Sequence, residues 1–409
     1  MKQIVMMKNL FTLLFLSAFY LLNAQSSNTT LDVVSWNLEF FGAPYASGPA
    51  DKDLQEANAK KIMRYIDADI YGLQEIVDSS HLRKLRDSLG INYEFIIAPY
   101  STDGVIGSNG WRQSQKLAVL YKKDVFSNIS TRGMMLNSPT AVSNWANGRL
   151  PFLFKADATV NGITKTIHFI VIHAKSGSTT SDYSRRLAGA QELKDTLDAN
   201  FSNETVFIIG DFNDALNHTI VSGSGPQSSF QPIVADSTDA DHYRSITITL
   251  ANLGQTSMIN FPNVIDNHVI SNEVSAYYIP GSVQVRTDVT SIVPDYVSAH
   301  NTSDHYPVFS NYNLSGVPTG LPNITPGDFG IKVSPNPFND RIYITASKTL
   351  RNTHFSLFDT QGRKLITKDI ATLIQGSSFE INIPASANGT YFLQAESEEY
   401  KTLVKLIAQ

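Results

Sequence analysis

The feature that most constrains this chain is a set of short apolar runs that do not alternate with polar residues. LAVLY (117–121), FIVI (169–172) and VFII (206–209) place one apolar residue directly after another. A strand with one wet face alternates with a period of two, so runs of this kind describe strands buried on both faces. Other strand-like segments are LDVVSWNLEFF, DIYGLQEI, FLFKADATV, VIDNHVIS and HYPVFSNYNL. Helical periodicity appears between them, in SSHLRKLRDSL, in SRRLAGAQELKDTLDA and in LQEANAKKIMRYI, where Leu54, Ala57, Ile62 and Ile66 are expected on the core face. Strands outnumber helices. The expected fold is an α+β four-layer sandwich, two packed β-sheets flanked by helices.

At 409 residues the chain is too long for one ordinary domain. Its N-terminus has Lys2 and Lys8, an apolar run from Leu10 to Leu22 and a small residue, Ala24, for cleavage. That layout predicts a secretory signal over residues 1–24, since the run is short for a permanent membrane helix. A catalytic body is expected over 31–313. LSGVPTGLPNITPGD (314–328) is rich in turn residues and reads as a linker. Residues 329–409 alternate apolar and polar residues in short runs, which predicts a small all-β sandwich. There is no cysteine, which excludes disulfides, thiolate metal sites and thiol nucleophiles. No later stretch reads as a membrane span, and a monomer is expected.

The polar residues worth weighing cluster where the strands end. Asn37 and Glu39 close the first, Glu75 another, and His173 and Lys175 follow FIVI. Asp211 and Asn213 follow VFIIG, Asp266 begins DNHVIS, and Asp304 and His305 precede the last strand. A carboxylate beside a buried apolar strand is costly unless something compensates it. Repetition at several strand ends therefore predicts one shared polar site. An asparagine, several carboxylates and histidines without cysteine favour a hard divalent ion, Mg²⁺ first, with Mn²⁺ or Ca²⁺ as alternatives. Phosphate ester cleavage needs charge neutralised on the phosphoryl oxygens, an activated water and help for the leaving group, and this inventory supplies all three. No nucleophile elbow and no glycine-rich phosphate loop with lysine is present.

The ordered set WNLE, LQE, IHAKS, GDFND, IDNH and SDHYP resembles the endonuclease/exonuclease/phosphatase superfamily, the DNase-I-like fold, from Leu31 to Asn313. The resemblance implies that Asn37, Glu39, Glu75 and Asp304 form the metal site. It implies that Asp211 and Asn213 position or deprotonate the attacking water. His305, oriented by Asp266, becomes the general acid/base or phosphate-stabilising histidine, and His173 a second donor. Arg149 and Lys175 are the implied phosphate contacts. His268 reads as a structural position, Trp36 and Trp111 as packing, and Arg185 and Arg186 as a salt-bridged helix surface. Gly104 to Ser114 is a candidate substrate-contact loop. VSPNPFNDRIYI, FSLFDTQGRKL, IPASANGTYFLQ and KTLVKLI resemble the type A sorting domain of the type IX secretion system. That implies passage through the outer membrane by the type IX machinery, to a secreted or cell-surface location.

Substrate is the least legible property. Residues 31–313 carry 21 Lys plus Arg against 29 Asp plus Glu, a net of −8. This argues against a tight sequence-reading DNA binder, whose footprint is basic. A low-specificity secreted nuclease acting on DNA or RNA is the first expectation. A sphingomyelinase-like phospholipid phosphodiesterase or phosphatase is the alternative, with AYYIP (276–280) as its one membrane-contact candidate. An inactive surface-binding module comes last, because no motif position is lost.

Overall fold

The computed structural model describes residues 29–235, 242–316, 326–359, 364–383, 389–397 and 401–408. The expected signal segment and residues 317–325 of the expected linker lie outside the described residues. The chain divides into two compact units, one of Met1–Tyr278 with Val283–Gly316 and one of Val317–Gln409 with Ile279–Ser282. Among the described residues no helix is long and apolar enough to cross a membrane.

The first unit is built on two six-stranded sheets. Its strands, in chain order, are β1 (Leu31–Phe41), β2 (Ile70–Ile76), β3 (Tyr93–Ile97), β4 (Tyr100–Ser101), β5 (Gly104–Val105), β6 (Lys116–Lys122) and β7 (Phe126–Gly133). There follow β8 (Phe152–Val160), β9 (Ile163–His173), β10 (Val206–Asp211), β11 (Tyr243–Ser245), β12 (Asp266–Ser271), β13 (Gln284–Val285) and β14 (Val308–Tyr312). One sheet runs β13-β14-β1-β2-β6-β3 and the other β11-β12-β10-β9-β8-β7. The apolar runs form β6, β9 and β10, each buried along the stretch that has no alternation. The expected sandwich is therefore the observed one.

The two faces of β1 show how the layers are assigned. Leu31 and Val33 join the larger apolar core, with Ile170, Phe207 and Ile209 of the second sheet. Val34, Trp36 and Leu38 point the other way, onto Ala59, Ile62 and Met63 of the helix Lys52–Ile66. Gly72 keeps the sheets close: a Cβ there would lie 2.8 Å from Cδ1 of Ile209.

Helix Lys52–Ile66 starts at Asp51, whose side chain accepts from the Leu54 amide, and stops at Asp67 in a left-handed conformation. Its buried face is Gln55, Asn58, Ala59, Ile62, Met63 and Ile66. This corrects the sequence expectation, since Leu54 is exposed and Ala57 faces solvent. Two polar residues take the inner face of the first turns because loop carbonyls and a hydroxyl await them there.

The segment 104–114 is likewise no simple loop. It holds a hairpin strand and the short helix Asn109–Gln113, and Trp111 is buried there with Nε1 donating to the Ala98 carbonyl at 3.0 Å. AYYIP is not an exposed hairpin either: Tyr278 is 2 % exposed and packs its ring on Tyr312.

Among the described residues the second unit is all-β apart from a short helix at Pro326–Phe329. Its strands are β15 (Ile331–Ser334), β16 (Arg341–Ala346), β17 (Leu350–Asp359), β18 (Lys364–Leu373), β19 (Ser378–Asn382), β20 (Gly389–Glu396) and β21 (Lys401–Ala408). They form a three-stranded sheet β15-β16-β19 and a four-stranded sheet β18-β17-β20-β21. Ile342, Ile344, Phe355, Leu357, Leu393 and Leu406 fill its apolar core.

Candidate active site

The site follows from strand direction. β1 and β2 are parallel, as are β9 and β10, so all four end at one edge of the sandwich. β12 and β14 run antiparallel to their neighbours and therefore begin at that edge. In the second sheet Asp211 pairs in register with His173 on one side and with Asp266 on the other. In the first sheet Asn37 pairs with Gln74, one residue before Glu75.

Backbone irregularities aim these side chains. β1 shifts register between Asn37 and Phe41, and Glu39 and Phe40 there have φ of 45° and 48°. Glu75 has φ 61° and Asn213 φ 51°. Left-handed conformations cost non-glycine residues of order 1 kcal/mol or more each, and four of them fall on or beside site residues. Gly210, with φ 148°, lets β10 press on β9, since a Cβ there would stand 2.0 Å from the Ile172 carbonyl oxygen.

Contacts join the two sheets at this edge. Asn37 Nδ2 donates to Asp211 Oδ2 at 3.0 Å and reaches Glu75 Oε1 at 3.4 Å. Glu75 Oε2 accepts from the Phe40 amide at 2.9 Å. His173 Nε2 lies 3.4 Å from Asp211 Oδ2 and 3.7 Å from Glu75 Oε1. His305 Nδ1 donates to Asp266 Oδ2 at 2.7 Å, which leaves its Nε2 4.0 Å from Asp211 Oδ2 and 3.7 Å from Asp304 Oδ1. Asp211 Oδ1 accepts from the Asn213 amide at 2.8 Å. Arg149 is buried, donates to the Ala174 carbonyl at 3.0 Å and bonds Gln115. Lys175 is not drawn into this cluster: its Nζ lies 2.9 Å from Asp182 Oδ1 and bonds the Ser176 carbonyl.

Electrostatics divides the group. Burial opposes charge on His305, but the carboxylates of Asp266, Asp211 and Asp304 outweigh it and hold the imidazole protonated well above its ordinary range. Burial opposes charge on His173 as well, and there Arg149 and His305 add to it, so that imidazole is neutral. Burial also raises Asp211 and Glu75. Glu39 is raised by burial and by Asp304.

Glu39 and Asp304, together with His300, offer ligand atoms within 4.8 Å of one another. Burial first, then Asp304 and Glu75, raise Glu39, and burial and Asp304 raise Glu75, so this group of carboxylates calls for positive charge. The oxygen donors of Glu39 and Asp304 therefore fit a divalent cation, and Glu75 lies near enough for Asp304 to raise it.

Several participants are not apparent from the motifs. Gln55 donates to the carbonyls of Leu38, Glu39 and Thr302 at 2.8, 2.9 and 3.1 Å. Ser257 Oγ donates to Asp266 Oδ2 at 2.7 Å. His300 Nε2 donates to Glu39 Oε2 at 2.6 Å. Only a polar residue on an otherwise apolar helix face signals Gln55; nothing local signals Ser257. Arg186 is not a surface residue as expected. It is 2 % exposed, bonds the Lys175 and Gly177 carbonyls and faces Asp214 at 3.8 Å. His268 is buried with Nδ1 2.8 Å from Ser310 Oγ.

No curated protein sequence matches the chain significantly. Among solved structures it is similar to an endonuclease/exonuclease/phosphatase from Beutenbergia cavernae, with 15% identity, TM-score 0.49, and coverage of 93% of this chain and 100% of that one. It is also similar to one from Bacteroides vulgatus, with 13% identity, TM-score 0.48, and coverage of 69% and 98%. The human Nocturnin catalytic domain is a third, with 14% identity, TM-score 0.45, and coverage of 70% and 94%. Residues 332–409 match the secretion system C-terminal sorting domain, which points to export to the cell surface or beyond. Residues 34–352, well over half of the chain, match the model of the Endonuclease/Exonuclease/phosphatase family, and the chain belongs to that family.

Proposed function

We propose that this protein is a secreted, divalent-metal-dependent phosphodiesterase that hydrolyses nucleic acid with low sequence specificity. The observation that carries the reading is the His305–Asp266 pair facing Asp211 across from the carboxylates of Glu39, Glu75 and Asp304. Members of this family are hydrolases of phosphoester bonds, and each need of that chemistry has a candidate group here.

Asn37, Glu39, Glu75 and Asp304 would hold the ion, Mg²⁺ or alternatively Mn²⁺ or Ca²⁺. When bound, it would supply positive charge against the phosphoryl oxygens. The protein's own groups would do the rest. Asp211, its carboxyl raised by burial, suits proton abstraction from water near neutral pH. Asn213 would orient that water. His305, protonated and fixed by Asp266, would stabilise the charge that develops on phosphate or protonate the leaving oxygen. Neutral His173 would donate through Nε2, and Arg149, held at the back of the site, would add fixed positive charge.

Nucleic acid is favoured over lipid because AYYIP, the membrane-contact candidate, is packed into the core through Tyr278. The exposed side chains of Val105 and Ile106 are the observation on the side of the phospholipid alternative, and they carry no aromatic ring.

The test is an activity panel with purified protein, in Mg²⁺ and in EDTA, on plasmid DNA, RNA, sphingomyelin and bis-p-nitrophenyl phosphate. Cleavage of DNA or RNA that stops in EDTA and in Glu75→Ala is expected. Robust sphingomyelin cleavage without nucleic-acid cleavage would overturn the substrate. Full activity in Glu75→Ala would overturn the metal site.

A further inference from the structure

His300 lies outside the motif set, yet it is the one imidazole aimed at the acidic rim from the solvent side. Its Nε2 is 2.6 Å from Glu39 Oε2, and its ligand atoms and those of Glu39 and Asp304 lie within 4.8 Å of one another. The side chain is 51% exposed, while that of Glu39 is 11% exposed, so the histidine closes the cluster from its wet side.

The backbone that carries it is built rather than loose. Asn58 Nδ2 donates to Asn301 Oδ1 at 3.2 Å and to Thr302 Oγ1 at 3.1 Å. Gln55 Nε2 holds the Thr302 carbonyl and also the Glu39 carbonyl. One helix face thus anchors both segments that bear the cluster, the β1 bulge and the turn before β14. Asn58 and Gln55 are buried for this purpose, at the expense of an apolar helix face. His300 itself sits at φ 46°, a conformation that histidine tolerates better than most side chains. A surface ion pair needs none of this scaffolding, since exposed pairs contribute little and form wherever long side chains meet.

We propose that His300 is a nitrogen ligand at the Glu39–Asp304 end of the metal site, and that it makes the site prefer Mn²⁺, Co²⁺ and similar borderline ions to Mg²⁺. The inference rests on the metal-dependent reading above and refines the identity of the ion. Mg²⁺ selects oxygen donors and dehydrates reluctantly, whereas imidazole suits first-row transition metals. Replacing one oxygen by an imidazole nitrogen therefore shifts selectivity without changing the charge that the carboxylates provide.

The experiment is isothermal titration of the chelator-stripped full chain with Mn²⁺ and, separately, with Mg²⁺, in native, His300→Ala, His300→Gln and Glu75→Ala forms. Co²⁺ visible absorption of the same samples reports nitrogen ligation directly. The native chain is expected to bind Mn²⁺ more tightly than Mg²⁺. Both His300 variants are expected to lose roughly 10- to 100-fold in Mn²⁺ affinity, to keep their Mg²⁺ affinity and to show an altered Co²⁺ spectrum. Unchanged melting temperatures in EDTA are expected to show that both variants fold. An unchanged Mn²⁺-to-Mg²⁺ ratio, or an unchanged Co²⁺ spectrum, overturns the proposal. Mn²⁺ binding that needs Glu75 but not His300 overturns it while leaving the metal-dependent reading intact. Absence of any binding by the native chain overturns both.

Discussion

At His305 two opposing demands meet. Burial disfavours its charge, and three aspartates around it restore that charge. The strongest of these, Asp266, is itself fixed by Ser257 through the same oxygen that accepts from His305. His305→Gln should lower kcat on a phosphodiester roughly 100- to 10,000-fold, the range for loss of one general acid or base. Asp266→Asn should cost less, and it should move the basic limb of the kcat–pH profile downward. With one carboxylate gone, the imidazolium loses its proton at lower pH, and a pH–rate series on the two variants checks this. His305 and Asp266 are legible in sequence as candidate site residues, because each sits beside a strand end. Ser257 is not, because it belongs to no apolar pattern and acquires its partner only when the chain before β12 folds back.

At the scale of elements, β10 shows how tightly the site is machined. Gly210 precedes Asp211, and any side chain there meets the Ile172 carbonyl. Gly210→Ala should destabilise the protein by about 3 kcal/mol or more, read as a lowered denaturant midpoint. β12 makes a different prediction through His268, whose ring is fully buried and whose pKa burial lowers to about 3. The unfolded chain takes up that proton near pH 6.5, and the folded chain does not until about pH 3. Between these values the unfolded state binds more protons, so stability falls as pH drops. The contribution of His268 is full above pH 6.5 and is lost downward at up to about 1.4 kcal/mol per pH unit. His268→Gln should flatten the dependence of unfolding free energy on pH between 6.5 and 4, measured by urea titration. The helix Lys52–Ile66 carries the lesson about patterns. A periodicity reading puts Leu54 and Ala57 inside, yet Gln55 and Asn58 take that face, because unpaired loop carbonyls are costlier to bury than an amide that satisfies them.

For the whole molecule, the two compact units make separate demands. The core of the first unit is continuous across both sheets, and the second has its own. A chain ending at Gly316 should keep phosphodiesterase activity within about threefold, since each unit has its own apolar core. Export should require the second unit instead. A chain truncated at that point should accumulate in the periplasm of a host with the type IX machinery, and a reporter placed between residues 1–24 and 326–409 should leave the cell. Immunoblots of periplasm and medium check both outcomes.

What the amino-acid order determines alone is what depends on neighbours in sequence. Uninterrupted apolar runs require strands buried on both faces, and a buried strand that ends in a carboxylate requires a compensating partner. Those two requirements dictate a layered sandwich and single out the polar residues at the strand ends. Tertiary structure decides what depends on strand direction and on side chains meeting from distant segments. Two parallel pairs and two antiparallel neighbours bring the ends of β1, β2, β9 and β10 and the starts of β12 and β14 to one edge. The same packing ties Lys175 to Asp182, buries Tyr278 and carries His300 to Glu39. No local pattern encodes these placements, because the partners are set by the register and crossing of strands far apart in the chain.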